Sequence, residues 1–222
     1  MDQDFHGAAE EYLEAIGWLG EEGAPVIQAR LAELLDRSTP AVSEMLERLV
    51  AAGLVERSGR HLLLSDAGRL RALAAIRRHR LAERLLVDVL GLPWRSVHVE
   101  AGRLGRVMSE EVAEHLVVLL GDPSTCPHGN LIPGRPSPLP GAAGQRRLAR
   151  CAPGQAVAVV RVTQEVEGHE PSLGYLEDGG LLPGTVATVV ERGPDGTLVV
   201  AIAERNLALS PYLGEQIVVV PA

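Results

Sequence analysis

Lysine is missing from this chain: all 21 of its cationic residues are arginine, a bias of composition rather than of mechanism. Cysteine is scarce. Cys126 and Cys151 are too few for a disulfide framework, which favours a cytoplasmic protein. No apolar run reaches the roughly 18 residues that span a bilayer, so a soluble chain with no membrane partner is expected even though 46% of its residues are hydrophobic. The opening stretch MDQDFHGAAEEYLEAI is acidic and lacks the cationic segment of a secretory leader. Catalytic signatures are absent too: there is no GxSxG, no HExxH, no phosphate-cradling glycine loop and no Cys–His pair with a third orienting group. These absences argue against an enzyme and against a small-molecule substrate.

Surplus positive charge is the last absence. The net charge is −8, awkward for a nucleic-acid binder, because phosphate contacts need local cations. Residues 1–73 hold 7 Arg against 13 acids, residues 74–140 hold 8 against 7, and residues 141–222 hold 6 against 9. Any DNA face is therefore a small basic patch on an acidic body.

What is present fits two or three small domains in 222 residues. Ala8, Tyr12, Ala15, Ile16 and Leu19 recur at helical spacing. A helix over Gln28–Leu35 follows, then a turn, then a helix opened by Ser38 or Thr39 as N-cap, with Pro40 in its first turn and Gly53 just past its end. LVER, the SGR turn and HLLLS read as a two-stranded hairpin. Helix, helix, turn, helix and hairpin form the winged helix-turn-helix pattern, a DNA-reading arrangement assigned here to residues 1–72. Ser38, Thr39, Pro40, Ser43, Glu44 and Arg48 line the recognition helix, Gln28 and Arg30 the helix before it, and Arg57 and Arg60 the wing. Glu44 is unusual there: a carboxylate accepts from cytosine but repels phosphate.

Residues 73–141 read as a helical domain. A long helix over Leu70–Leu90 closes at Gly91-Leu92-Pro93, and helices near Ser96–Met108 and Ser109–Leu120 come next. They are apolar along more than one stripe with little chain to pack against, which points to a homodimer interface. GNLIPGRPSPLPGAAG reads as a linker. Residues 150–222 alternate in short strands, QAVAVVRVT, GTVATVVER, TLVVAIA and EQIVVVPA, the pattern of a small β-barrel.

HRLAERLL places His79 and Glu83 four residues apart, on one face of the long helix. Such a pair is either a surface ion pair or two metal ligands; His98, on the next helix, favours the second. Cys126 and His128 in CPHGN could bind metal as an adjacent pair, although a structural part in the loop is the preferred reading. His6, His61 and His115 have no partner at ligand spacing; His169 has only its neighbour Glu170.

The winged helix, HRLAERLL, VMSEEVAEHL and GNLIPG, arriving in this order, resemble the diphtheria-toxin-repressor family of iron- or manganese-activated repressors. The resemblance covers almost the whole chain. It implies a mainly α fold with small β parts: an N-terminal winged helix, a helical metal-binding and dimerisation domain, and a C-terminal SH3-like barrel able to dock on RPSPLPG. It implies a dimer on palindromic double-stranded operator DNA, with Mn²⁺ or Fe²⁺ as cofactor. His79, Glu83 and His98 match one metal position, with Glu170 as the barrel's carboxylate and Leu173 standing where a barrel amide is expected. Arg80 and Asn130 match positions that hold an anion beside the metal, and Cys126 departs from the usual hydroxyl there.

The family's second, activating position fares worse. Three of its ligand places are Gly102, Gly105 and Arg106, none able to coordinate, and only Glu11 of the first helix remains as a weak candidate, with Glu14 as a further one. The principal expectation is a metal-dependent repressor. The alternative is a metal-independent or metal-buffering relative in which an Arg106–Glu11 ion pair replaces the lost site.

Overall fold

The computed structural model describes residues 3–134 and 144–222. RPSPLPG, and with it the expected docking of the barrel on its own linker, lies outside the described residues. The described chain divides into two units, Met1–His79 with Arg103–Ala113, and Arg80–Gly102 with Glu114–Ala222.

The first unit begins with α1 (Gln3–Glu21), α2 (Gln28–Leu34) and α3 (Thr39–Ala51). Ser38 is the N-cap of α3, its hydroxyl accepting from the Ala41 amide at 3.4 Å, with Pro40 in the first turn. Val42, Leu46 and Leu49, spaced at i, i+4 and i+7, bury one face of α3 with Leu13, Ile16 and Leu31. The wing is β1 (Val55–Ser58) and β2 (His61–Leu64), antiparallel from Val55↔Leu64 to Ser58↔His61. Ile27 bridges to His61, so the segment ahead of α2 pairs with the wing. α4 (Asp66–Arg84) follows and continues as a π-helical turn over Leu85–Val89. α5 (Val97–Val107) and α6 (Glu110–Leu119) complete the helical segment.

The second unit is built on β3 (Arg146–Arg147), β4 (Ala156–Val162), β5 (Val186–Arg192), β6 (Leu198–Ile202), β7 (Arg205–Leu209) and β8 (Ile217–Pro221). They form one antiparallel sheet in the order β3-β8-β4-β5-β6-β7. Alternate residues Val157, Val159, Val189, Leu198, Val200, Ile217 and Val219 supply its core. Two short helices, α7 (Gln164–Glu167) and α8 (Glu170–Asp178), separate β4 from β5, and α9 (Pro211–Gln216) precedes β8. β4 carries a bulge between Val159 and Arg161 where it pairs with β8. No described helix is long and apolar enough to cross a membrane.

Candidate metal centre and DNA-reading surface

The centre in the second unit is built by four segments. The end of α4 supplies Glu83 and the start of α5 supplies His98; the loop 126–130 supplies His128, and α7 supplies Gln164 and Glu167. β4 places two of these. Gly129 sits against its bulge: the φ there is +89°, and a Cβ would lie 2.1 Å from the Val160 carbonyl oxygen, so only glycine fits. The Val162 amide then donates to the His128 carbonyl at 3.0 Å, locking the loop to the strand that runs into α7.

His98 Nδ1 lies 3.1 Å from Glu83 Oε1 and 3.3 Å from Glu167 Oε2. His128 Nδ1 lies 3.3 Å from Glu83 Oε1 and 3.8 Å from Glu167 Oε2. Donor atoms sharing an ion at bonds of about 2.0–2.2 Å sit about 3.0–3.6 Å apart, and three of the four separations fall in that range. Both carboxylates are buried, Glu83 at 0% and Glu167 at 3% exposure. Two desolvated carboxylates side by side cost several kcal/mol each unless a cation or protons compensate them. Imidazole nitrogens and carboxylate oxygens in such a setting fit a first-row divalent ion.

The rest of the site orients these groups. Glu167 accepts from the Gln164 amide at 2.8 Å on Oε2 and from Asn130 on Oε1. Asn130 also donates to the Val162 carbonyl at 3.0 Å. Both of its amide protons are thus taken within the protein, leaving none for the anion expected at this position. Arg80, the other expected anion-holder, is buried and donates to the Leu131 carbonyl. Burial alone would push the His128 imidazole down, but Glu167 and Glu83 outweigh it and raise its pKa to about 8. Burial, together with Glu83 and Glu167, pushes the Cys126 thiol well up.

Glu170 does not meet this centre. It is exposed at the start of α8, and Glu167, three residues earlier, is the carboxylate beside His98. Leu173 is wholly buried in the sheet's core, and the side-chain amide beside His98 is that of Gln164, its Nε2 3.5 Å from His98 Nδ1. The stretch TQEVEGHE holds three acids within six residues, and a four-residue helix gives no periodicity by which to choose among them. His79 lies one turn before Glu83 on α4 and is buried in the first unit, its Nδ1 3.2 Å from Glu14 Oε1 and its ring edge-on to Trp18.

At two of the three degenerate positions, Gly105 and Arg106, the first unit has a different construction. A Cβ on Gly105 would meet the His79 amide nitrogen at 3.1 Å, so α5 passes α4 at close range. Arg78 uses this approach: Nε donates to the Gly105 carbonyl at 3.2 Å, and the guanidinium pairs with Glu10 Oε2 at 2.7 Å. Arg106 and Glu11, expected as a buried bidentate clamp, are 3.8 Å apart with 37% and 28% of their side chains exposed, and Glu11 also faces Arg37 at 3.7 Å. That contact is too long and too wet to replace a bound ion; the tight tie from α1 is Glu10–Arg78.

On α3 the face opposite Val42, Leu46 and Leu49 is open: Ser38, Thr39, Pro40, Glu44 and Arg48 are exposed and Ser43 half-buried. Gln28 donates to the Thr39 carbonyl at 3.1 Å, setting the angle between α2 and α3, and Arg30 is half-buried on α2. Arg57 and Arg60 are exposed on the wing.

A winged helix, a buried imidazole–carboxylate centre and a six-stranded β domain together define a metal-responsive DNA-binding regulator. Residues 4–62 match the model of the iron-dependent repressor N-terminal DNA-binding domain, residues 65–134 its metal-binding and dimerisation domain, and residues 146–221 the FeoA domain. The chain is 44% identical over 209 residues to the iron-dependent repressor IdeR of Mycobacterium tuberculosis (strain ATCC 25618 / H37Rv), covering 90% of this chain and 91% of that one. It is 47% identical over 133 residues to the diphtheria toxin repressor of Corynebacterium diphtheriae, covering 60% and 59%. A manganese-dependent transcriptional repressor solved with manganese superposes with a TM-score of 0.85 at 32% identity, over 96% of this chain and 100% of that one. ScaR with bound Zn²⁺ superposes with a TM-score of 0.78 at 28% identity, over 96% and 99%. The chain belongs to the iron-dependent repressor family, that of the diphtheria toxin repressor.

Proposed function

We propose that this protein is a transcriptional repressor whose hold on operator DNA depends on Mn²⁺ or Fe²⁺ bound by Glu83, His98 and Glu167. Members of the family are metal-dependent DNA-binding repressors rather than enzymes, and this chain is one of them. The alternative of a metal-independent or metal-buffering relative is not favoured. The observation that carries the metal assignment is the pair of buried carboxylates, each within 3.3 Å of the same His98 nitrogen. A bound divalent ion supplies the positive charge that this pair lacks.

The chain's own residues do the rest. Asn130 and Gln164 hold the Glu167 carboxylate in place from either side. Ser38, Thr39, Ser43 and Glu44 meet base edges in a major groove, while Gln28, Arg30, Arg48, Arg57 and Arg60 meet the backbone. Val89, Leu90, Val118 and Leu119 are exposed apolar residues of the second unit and supply a dimer contact, so that two recognition helices read a palindrome in the cytoplasm. The test is fluorescence anisotropy on AT-rich palindromic promoter DNA. With Mn²⁺ the affinity should rise at least tenfold over that in excess chelator, and fall as salt rises. Equal affinities in the two conditions would remove the proposal.

A further inference from the structure

Beside His98 and Glu167 the same buried centre presents a second set of donors. Glu83, Cys126 and His128 each offer a ligand atom, and the three atoms lie within 4.8 Å of one another. All three residues are buried, at 0%, 1% and 0% exposure. The imidazole orientation is what makes the set a site. His128 Nε2 lies 3.2 Å from the Trp94 carbonyl oxygen, which can only accept, so Nε2 carries a proton. Nδ1 then faces the Glu83 and Glu167 oxygens at 3.3 and 3.8 Å, and is the ring nitrogen an entering ion would take in place of a proton. A ring nitrogen oriented by an N–H to a backbone carbonyl is also the usual arrangement of a metal-bound histidine. The ring itself is fixed, packed on Trp94 at a centroid distance of 4.7 Å.

We propose that Glu83, Cys126 and His128 form a sulfur-containing position for a divalent ion of the Zn²⁺, Co²⁺ or Cd²⁺ class, sharing Glu83 with the nitrogen–oxygen site and adding a thiolate to it. Thiolate and imidazole select borderline ions over Mn²⁺, whose preference is for oxygen. As the ion enters, the Cys126 S–H bond gives way to a metal–sulfur bond and the proton leaves to solvent; the ion's own charge reverses the field that keeps the thiol protonated. Trp94 and the backbone of β4 hold the loop, so the three donors need little rearrangement. The inference rests on the centre being a metal site at all, and its test separates the two ideas.

The experiment is a Co²⁺ titration of the full chain, read by ultraviolet–visible absorption. Wild type is expected to show both the weak visible bands of bound Co²⁺ and an intense near-ultraviolet charge-transfer band from a thiolate. Cys126→Ser should lose the charge-transfer band and keep the visible ones; His128→Asn should weaken Co²⁺ binding at the sulfur position at least tenfold. Visible bands without a charge-transfer band in wild type would overturn the sulfur position and leave the nitrogen–oxygen site standing. No bands of either kind would overturn both. The wild-type spectrum decides the matter even if a variant fails to fold.

Discussion

Arg78 joins three helices of the first unit through a single planar cation: it sits on α4, pairs with Glu10 of α1 and donates to the Gly105 carbonyl of α5. Its side chain is 11% exposed, and that of Glu10 is 29% exposed. Replacing it by alanine leaves a carbonyl and a half-buried carboxylate without their donor, at a cost of about 1–3 kcal/mol. Arg106→Ala removes only a loose contact and should cost under about 0.5 kcal/mol. Urea unfolding of both variants in excess chelator measures the difference; equal losses would show that the tie runs through Arg106 after all. From the sequence the clamp is visible only as a surplus of arginine opposite two adjacent glutamates, and nothing local tells Glu10 from Glu11. In the sequence, i,i+4 spacing singles out Glu83 only together with His79, and His98, on the next helix, is singled out by the resemblance to the family. Glu167, Gln164 and the full weight of His128 are not singled out, because their positions depend on how a loop meets the bulge of β4, a contact between segments over 30 residues apart in the chain.

At the scale of elements, α3 and the wing are the two parts of the DNA-binding domain that the proposed function sets against DNA. α3 is held by its Ser38 cap and by Val42, Leu46 and Leu49, so its exposed face is presented on a rigid support. The wing is a four-residue pair of strands ending in exposed Arg57 and Arg60. In an acidic chain, the proposed operator binding assigns these two exposed cations a large share of the phosphate contacts. Arg57→Ala with Arg60→Ala should weaken operator binding uniformly across sequences and flatten the slope of log affinity against log salt by about 1–2. An unchanged slope would place the wing away from the backbone. These elements were readable because caps, proline, glycine and alternation mark them in the sequence. The two-residue β3, the four-residue α7 and the six-residue α9 are too short to show a period, and β7 alternates too briefly to stand out from the turn before it.

Across the whole molecule, the chain pairs a DNA-reading unit with a unit whose interior carries charge that only a cation or protons can balance. The metal affects DNA binding only to the extent that it binds one conformation better than another, so the coupling is limited by that difference in affinity. The metal's part in this depends on which side chains take the ion. The most direct measurement is an anomalous difference map from crystals of the full chain grown with Mn²⁺. The account predicts a peak within about 2.0–2.3 Å of Glu83, His98 and Glu167, with Glu170 free of it. A peak bound to Glu170 in place of Glu167, or no peak beside Glu83 at saturating Mn²⁺, would contradict it.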